Sequence, residues 1–328
     1  MTQRVLAAIA LLATLGLAHA PALAQPAPGT HRIAFVNVGP AAPNAPNINA
    51  LRTGLAELGY VEGKNLTIDL RWGNGKPELL PGLVSELIAQ KPRLIISGGG
   101  AVTARAVKAA TTTVPVVFIV GDPVAENIVG NLARPGGNLT GLAVLAGDLE
   151  SKRIELLNQM VPKARRIAII WNPAEPTAER FFQSTDDAAR KLGLTPLAWK
   201  ARNLEELETA FAEIAKAKAD ALFIVADPVL GFQRTRILEF AAANRLPGIY
   251  FWRQFPQAGG LASYGTNLAA IYRRAAGYAD RILKGTPPGQ LPIEQPTTFE
   301  LVVNAKAARA LGLTIPREVL NRADEVIE

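Results

Sequence analysis

Two short stretches hold carboxylates where a small molecule could meet them. VGDPV at 120–124 and VADPV at 225–229 each end an apolar run with an Asp-Pro pair, which puts Asp122 and Asp227 at equivalent places. Two carboxylates facing across a cleft would hold an ammonium group or exchange protons with a substrate. The competing reading is structural, since Asp followed by Pro is also a helix N-cap with proline in the first turn. The run Gly98-Gly99-Gly100 follows LIIS at 94–97. Its amides could approach a carboxylate closely, or it could be only a tight turn into a helix.

Other residue types narrow the chemistry. The chain has no cysteine and two histidines, His19 and His31. A sulfur nucleophile is therefore excluded, and neither a Ser-His-Asp triad nor a His-based zinc site is expected. The sequence contains no GxxxxGK[ST] phosphate loop. What stays open is capture of a small molecule or acid/base chemistry between the carboxylates, with no cofactor and no metal expected. For a flat ligand, aromatic stacking adds about 0.5–1.5 kcal/mol beyond burial. Trp72, Trp171, Trp252 and Tyr264 stand at the ends of apolar runs, where each could equally be an ordinary core or rim residue.

The elements that must position these residues occur twice. Ile33–Gly39 reads as a buried strand followed by a helix over Leu51–Leu58 closed by Gly59. Ile167–Pro173 is followed at the same offset by a helix ending at Leu192 and closed by Gly193. The correspondence continues: Leu66–Trp72 with Leu194–Lys200, Leu94–Ser97 with Leu222–Val225, and Pro115–Val120 with Pro247–Trp252. Leu139–Leu145 and Leu261–Tyr264 close the two halves. Short, continuously apolar strands alternating with amphipathic helices predict parallel sheets covered on both faces. The expected architecture is α/β, two Rossmann-like doubly wound lobes in series with a cleft between them.

In such sheets ligands bind outside the carboxyl ends of the strands, where loops and helix N-termini present free N–H groups. The candidate ligand contacts are thus Asn37, Ser97, Gly98, Gly99, Gly100 and Asp122 in the first half. Asn172, Asp227, Trp252 and Tyr264 are their counterparts in the second. After both halves are complete, Ala269–Leu283 reads as a further helix, prolines 287, 288 and 292 as an extended connector, and Phe299–Val303 as another strand. So much structure beyond the second half implies that the chain crosses between lobes more than once, which makes a hinge. The division expected is lobe 1 over 30–146 with 267–290, and lobe 2 over 147–266 with 291–328.

The stretches ELGYVEGKNLTIDLRW at 57–72, LARPGGNLTGLAV at 132–144, KRIELLNQMVP at 152–162, GGLASYGT at 259–266 and ADRILKG at 279–285 resemble the ABC-transporter substrate-binding protein family that includes tryptophan- and other aromatic amino acid-binding members. PTTFELVVNAKAARALGLTIP at 296–316 and RADEVIE at 322–328 resemble it too. The resemblance implies a type I periplasmic binding fold with three crossovers, a small-molecule ligand held by hinge closure, and a membrane permease as partner. A sensor that signals to a membrane receptor is the alternative use of the same fold, and an enzyme using the cleft a further one. Two departures bear on the ligand. Ala101 stands where family members often carry a threonine, which leaves Ser97 and Thr103 as candidate ligand contacts to supply the hydroxyl, and VGPAAPNAPN at 38–47 stands where they often have small hydroxyl residues, so Asn44, Asn47 and Asn49 offer amides there or serve as turn residues.

Arg4, the apolar run Val5–Ala18, and Ala22 and Ala24 before Gln25 form the three parts of a secretory signal peptide. Residues 1–24 are therefore expected to be removed on export to the periplasm. With no cysteine at the cleavage site, no lipid anchor is expected. The net charge of +7 comes from scattered Lys and Arg. That suits a solubilising surface on an exported monomer better than a nucleic-acid footprint.

Overall fold

The computed structural model describes residues 30–144, 149–175 and 177–328. The signal peptide expected over 1–24 and the lobe boundary drawn between 146 and 147 lie outside the described residues.

The first lobe is built from β1 (His31–Asn37), α1 (Ala41–Glu57), β2 (Leu66–Trp72), α2 (Leu80–Ala89), β3 (Leu94–Gly98), α3 (Ala101–Ala110), β4 (Val116–Val120) and β5 (Leu139–Ala143). Its strands are all parallel in the order β2-β1-β3-β4-β5. The second lobe follows with α4 (Leu149–Met160), β6 (Arg166–Trp171), α5 (Ala178–Lys191), β7 (Thr195–Lys200), α6 (Leu204–Ala217) and β8 (Ala221–Ile224). It continues with α7 (Pro228–Phe232), α8 (Arg234–Ala243), β9 (Gly248–Tyr250), α9 (Gln254–Gln257) and β10 (Ala262–Gly265). Its strand order β10-β9-β8-β6-β7 repeats that of the first sheet, so the repeated sequence pattern is a repeated topology.

Period-two alternation explains the layers. Ile33 and Phe35 enter the core on one face of the first sheet while Ala34 and Val36 enter the other. Ile167 and Ile169 are separated from Ala168 and Ile170 in the same way. Each sheet is thus apolar on both faces, which is why its strands read as unbroken hydrophobic runs.

The chain then returns to the first lobe as α10 (Leu268–Leu283), which packs along α1, and crosses again to add β11 (Glu300–Asn304), α11 (Ala305–Leu311), α12 (Arg317–Leu320) and β12 (Glu325–Ile327) to the second sheet. β11 runs antiparallel to β10, because it enters the sheet from the connector rather than through a crossover helix. The second sheet is therefore mixed where a wholly parallel one was expected. Leu291 and Ile293 are buried in the first lobe's cores, and the Ile293 N–H donates to the Leu132 carbonyl at 2.8 Å. The connector stays with the first lobe through Glu294.

The three crossing strands are tied to one another. Thr266 Oγ1 donates to the Val144 carbonyl at 2.7 Å, and the Ala143 N–H donates to the Glu294 carbonyl at 2.8 Å. Three strands bonded side by side resist shear and twisting but can bend, as a hinge must.

One helix starts earlier than expected. α1 begins at Ala41, so Asn44, Asn47 and Asn49 are helical and not turn residues, despite Pro43 and Pro46. Proline near a helix start removes N–H groups that have few partners there. The Gly39 carbonyl, which loses its donor to Pro43, accepts from the Asn74 N–H at 3.4 Å, and Asn44 Nδ2 bonds the Pro40 oxygen at 2.8 Å at the helix start.

Candidate functional site

A cleft that opens to solvent, with about 950 Å³ of empty space when its open mouth is counted, lies between the carboxyl ends of the two sheets and is lined from both lobes. Asn37, Gly99 and Gly100 of the first lobe and Asp227 and Trp252 of the second line it, as the strand-end argument expects. Ser97, Gly98, Thr103, Asp122, Asn172 and Tyr264 do not.

Five of those six are engaged elsewhere, and the Ser97 hydroxyl is buried without a hydrogen-bond partner. Ser97 is wholly buried within β3. A Cβ on Gly98 would strike the Tyr272 hydroxyl, so that glycine makes room for Tyr272 rather than for a ligand. Thr103 accepts a hydrogen bond from the Val38 N–H at 3.1 Å and fastens α3 to the end of β1. Tyr264 packs with Phe299 and the second lobe's core. Asp122 accepts from the Val124 and Ala125 N–H groups at 3.2 and 3.0 Å, as a cap does, and pairs at 3.2 Å with Arg180 of the other lobe. Asn172 donates to Asp227 at 3.1 Å and so positions a lining residue without lining the cavity itself.

Asp227 caps α7 by accepting from the Leu230 N–H at 2.7 Å. Burial raises its carboxyl to about 6, although the Leu230 and Asn172 hydrogen bonds pull the other way. Asp227 thus caps a helix, whereas Asp122 closes a turn with no helix after it, and each aspartate already accepts hydrogen bonds from its own loop. Asp227→Ala is expected to destabilise the protein by about 1 kcal/mol through loss of the cap, read as a lower urea midpoint. Unchanged stability would mean that the α7 start does not depend on this side chain.

Phe232, Phe251 and Trp252 form an aromatic wall, with ring centroids 4.8 Å apart for Phe251–Trp252 and 6.3 Å for Phe232–Trp252. The other tryptophans serve the cores. Trp171 stacks on Phe182 at 5.0 Å, and Trp72 packs on Phe35 at 5.3 Å. Opposite the wall, Asn37 donates to Tyr272 and Asn44, both at 3.5 Å, and accepts from the Gly39 N–H at 2.7 Å.

The charged lining residues were not among the strand-end candidates. Glu126 lies in the turn after β4, Glu175 in the turn after β6, Arg153 on α4 and Arg234 at the start of α8. Arg153 makes a buried ion pair with Glu150 at 2.7 Å. Arg234 has no ion pair among the described residues. In sequence, the one mark of Glu126 and Glu175 is a lone acid among small and apolar neighbours, VAEN and PAEP, a few residues past a strand.

The lobes touch across the cavity through α7. The Phe232 ring reaches the first lobe's core, where a Cβ on Gly39 would collide with it, and a Cβ on Gly100 would lie 2.8 Å from Pro228 Cγ. Gly100, with φ of 83°, also needs glycine for its backbone. This is a closed arrangement of two lobes about a lined cavity.

The model of the ABC transporter substrate binding protein family matches residues 43–327. The chain belongs to that family. This substrate-binding protein is 26% identical over 261 residues to the tyrosine-binding protein of Clostridioides difficile, covering 79% of this chain and 74% of that one. A conserved domain protein from Vibrio cholerae superposes with a TM-score of 0.83 at 28% identity, covering 90% of this chain and 99% of that structure. An ABC domain from Streptococcus pneumonia in complex with L-Trp gives the same TM-score, 0.83, at 23% identity, over 91% of this chain and 100% of that structure. Those neighbours share this fold. Family members are extracytoplasmic, and among the described residues no helix is long and apolar enough to cross a membrane.

Proposed function

We propose that this protein is the exported solute-binding component of an ABC importer, acting as a monomer in the periplasm and delivering its ligand to a membrane permease. The lobes are residues 30–146 with 267–290 and the connector through Glu294, and 147–266 with the remainder of the chain. They close on an aromatic amino acid or a related compound. The observation that carries the reading is the cavity between the two sheets, lined from both lobes and walled by Phe232, Phe251 and Trp252. Its lining, mostly apolar and aromatic with a few polar groups, suits a small organic ligand. The names of a tyrosine-binding relative and of an L-Trp complex support the aromatic class.

Function follows from differential contact. A ligand docked on one open lobe gains the other lobe's contacts only on closure, so it stabilises the closed form that a permease would read. The test is thermal unfolding of protein freed of ligand by denaturation and refolding, against amino acids, aromatic acids and small peptides. A ligand at 100 times its Kd should add about 2.7 kcal/mol, a rise in Tm of several degrees. A response to an aromatic amino acid alone is the expected result. A response confined to another chemical class would overturn the aromatic assignment, and a flat panel would overturn small-molecule capture.

A further inference from the structure

Glu126 and Glu175 face the cavity from opposite lobes, and neither is part of an ion pair among the described residues. Glu126 is only 3% exposed. Its Oε1 accepts from the Asp122 N–H at 2.9 Å, while its Oε2 is buried with no hydrogen-bond partner. Glu175 likewise has a buried Oε1 with no partner. Two further lining residues point to the same need. Asn47, 4% exposed, holds an unpartnered buried Oδ1, and Gln254 an unpartnered buried Oε1. Four residues on one cavity thus hold acceptor oxygens that receive nothing, against one unpartnered donor, Arg153 Nε, so what is missing is chiefly a donor-rich group.

We propose that Glu126 and Glu175 form a cation site completed only when the lobes meet, that it takes the protonated amine of the ligand, and that this positive charge is what holds the lobes closed. The inference rests on the reading of the cavity as a ligand trap. In the open form each carboxylate is hydrated. Closure strips that water and brings two like charges together in a low-dielectric space. An ammonium between them supplies three donors and cancels repulsion. Without it, closure has to be accompanied by proton uptake.

The surroundings agree with that sign. Burial, and after the opposing Asp122 N–H bond the charges of Glu175 and Asp122, push Glu126 up to about 8, with Arg105 opposing. Burial and then the Asp227 charge push Glu175 up to about 7, again against Arg105. Arg234 and the Glu150-paired Arg153 line the same cavity. Both carboxyls are thus raised in the closed form above the ordinary 4.5 that an open, hydrated site would restore. Ligand-free closure is favoured in acid. It weakens as pH rises from the open-form value through the closed-form values, by up to about tenfold per pH unit for each carboxyl.

The experiment is small-angle scattering of the refolded, ligand-free protein between pH 5 and 8.5, for wild type, Glu175→Gln and Glu126→Gln/Glu175→Gln, with circular dichroism to establish folding. At pH 8 each is also measured with tryptamine, an amine without carboxylate, and with indole-3-propionate, a carboxylate without amine. Wild type is expected to be compact in acid and extended in base. The single variant should lose about half of that dependence and the double variant nearly all of it, and tryptamine alone should compact wild type. A pH response unchanged in both variants, or compaction by indole-3-propionate equal to that by tryptamine, overturns the cation site and leaves the trap intact. No compaction at any pH or with any panel compound overturns the trap and the cation site together.

Discussion

Gly39→Ala is expected to weaken ligand binding by about 5- to 150-fold while leaving the ligand-free protein at least as stable as wild type. The added methyl group would meet the Phe232 ring of the opposite lobe, and that ring supplies the three nearest atoms to the site. Overpacking of this kind costs about 1–3 kcal/mol, the stated range when converted to affinity. Relief comes from parting the lobes, so the cost falls on closure and not on folding. Gly39 is outside the left-handed backbone region. Alanine there should therefore raise stability slightly by restricting the unfolded chain. The measurements are calorimetry with whichever panel compound gives the largest Tm shift, and urea unfolding without ligand. Phe232→Ala separates the causes: in that background Gly39→Ala should lose most of its effect, which a double-mutant cycle reads directly. An equal loss of affinity in both backgrounds would mean that Gly39 acts within its own lobe.

That contact was invisible in the sequence, and the reason is general to this fold. β2 runs over Leu66–Trp72 as read, and β1, β3 and β4 begin or end within two residues of the expected limits. β3 and β4, buried on both faces, leave an unbroken apolar signature that needs no tertiary knowledge, whereas β2 at the sheet edge shows as the alternating pattern LTIDLRW. The duplication was legible because each lobe solves the same packing problem with the same order of elements. The start of α1 was not, since Pro43 and Pro46 are turn signals locally, and the donor that replaces the Pro43 N–H lies beyond the end of β2 at Asn74. At the site, strand-end reasoning found Asn37, Gly99, Gly100, Asp227 and Trp252, all of which line the cavity. It also offered Ser97, which is wholly buried within β3 and does not line the cavity. What it missed was Glu126 and Glu175. Strand ends are set by local pattern, whereas a loop carboxylate becomes significant only when the opposite lobe removes its water.

Glu150→Ala is expected to cost about 3–5 kcal/mol, a large share of the roughly 5–15 kcal/mol that holds a folded protein together. In KRIELL at 152–157 and the residues before it, Glu150 and Arg153 have the i, i+3 spacing of an ordinary exposed pair. In the structure their side chains are only 2% and 1% exposed, with Arg153 Nη1 donating to Glu150 Oε2 at 2.7 Å. Glu150 Oε1 also accepts from the Ala226 N–H at 3.4 Å, which links α4 to the loop between β8 and Asp227. Truncating Glu150 leaves a buried guanidinium without its counter-ion. That residual charge, more than the lost bond, makes the penalty large. Replacing both members, as in Glu150→Met/Arg153→Met, removes the stranded charge and should recover most of the loss. Urea unfolding of the three proteins decides the matter: a double variant as unstable as Glu150→Ala would show that the Ala226 link, and not the ion pair, carries the energy. Because Arg153 also lines the cavity, the double variant separates two roles. Recovered stability with weakened ligand binding would mark Arg153 as a ligand contact, and recovered stability with wild-type binding would confine the pair to holding the second lobe's cavity face in place.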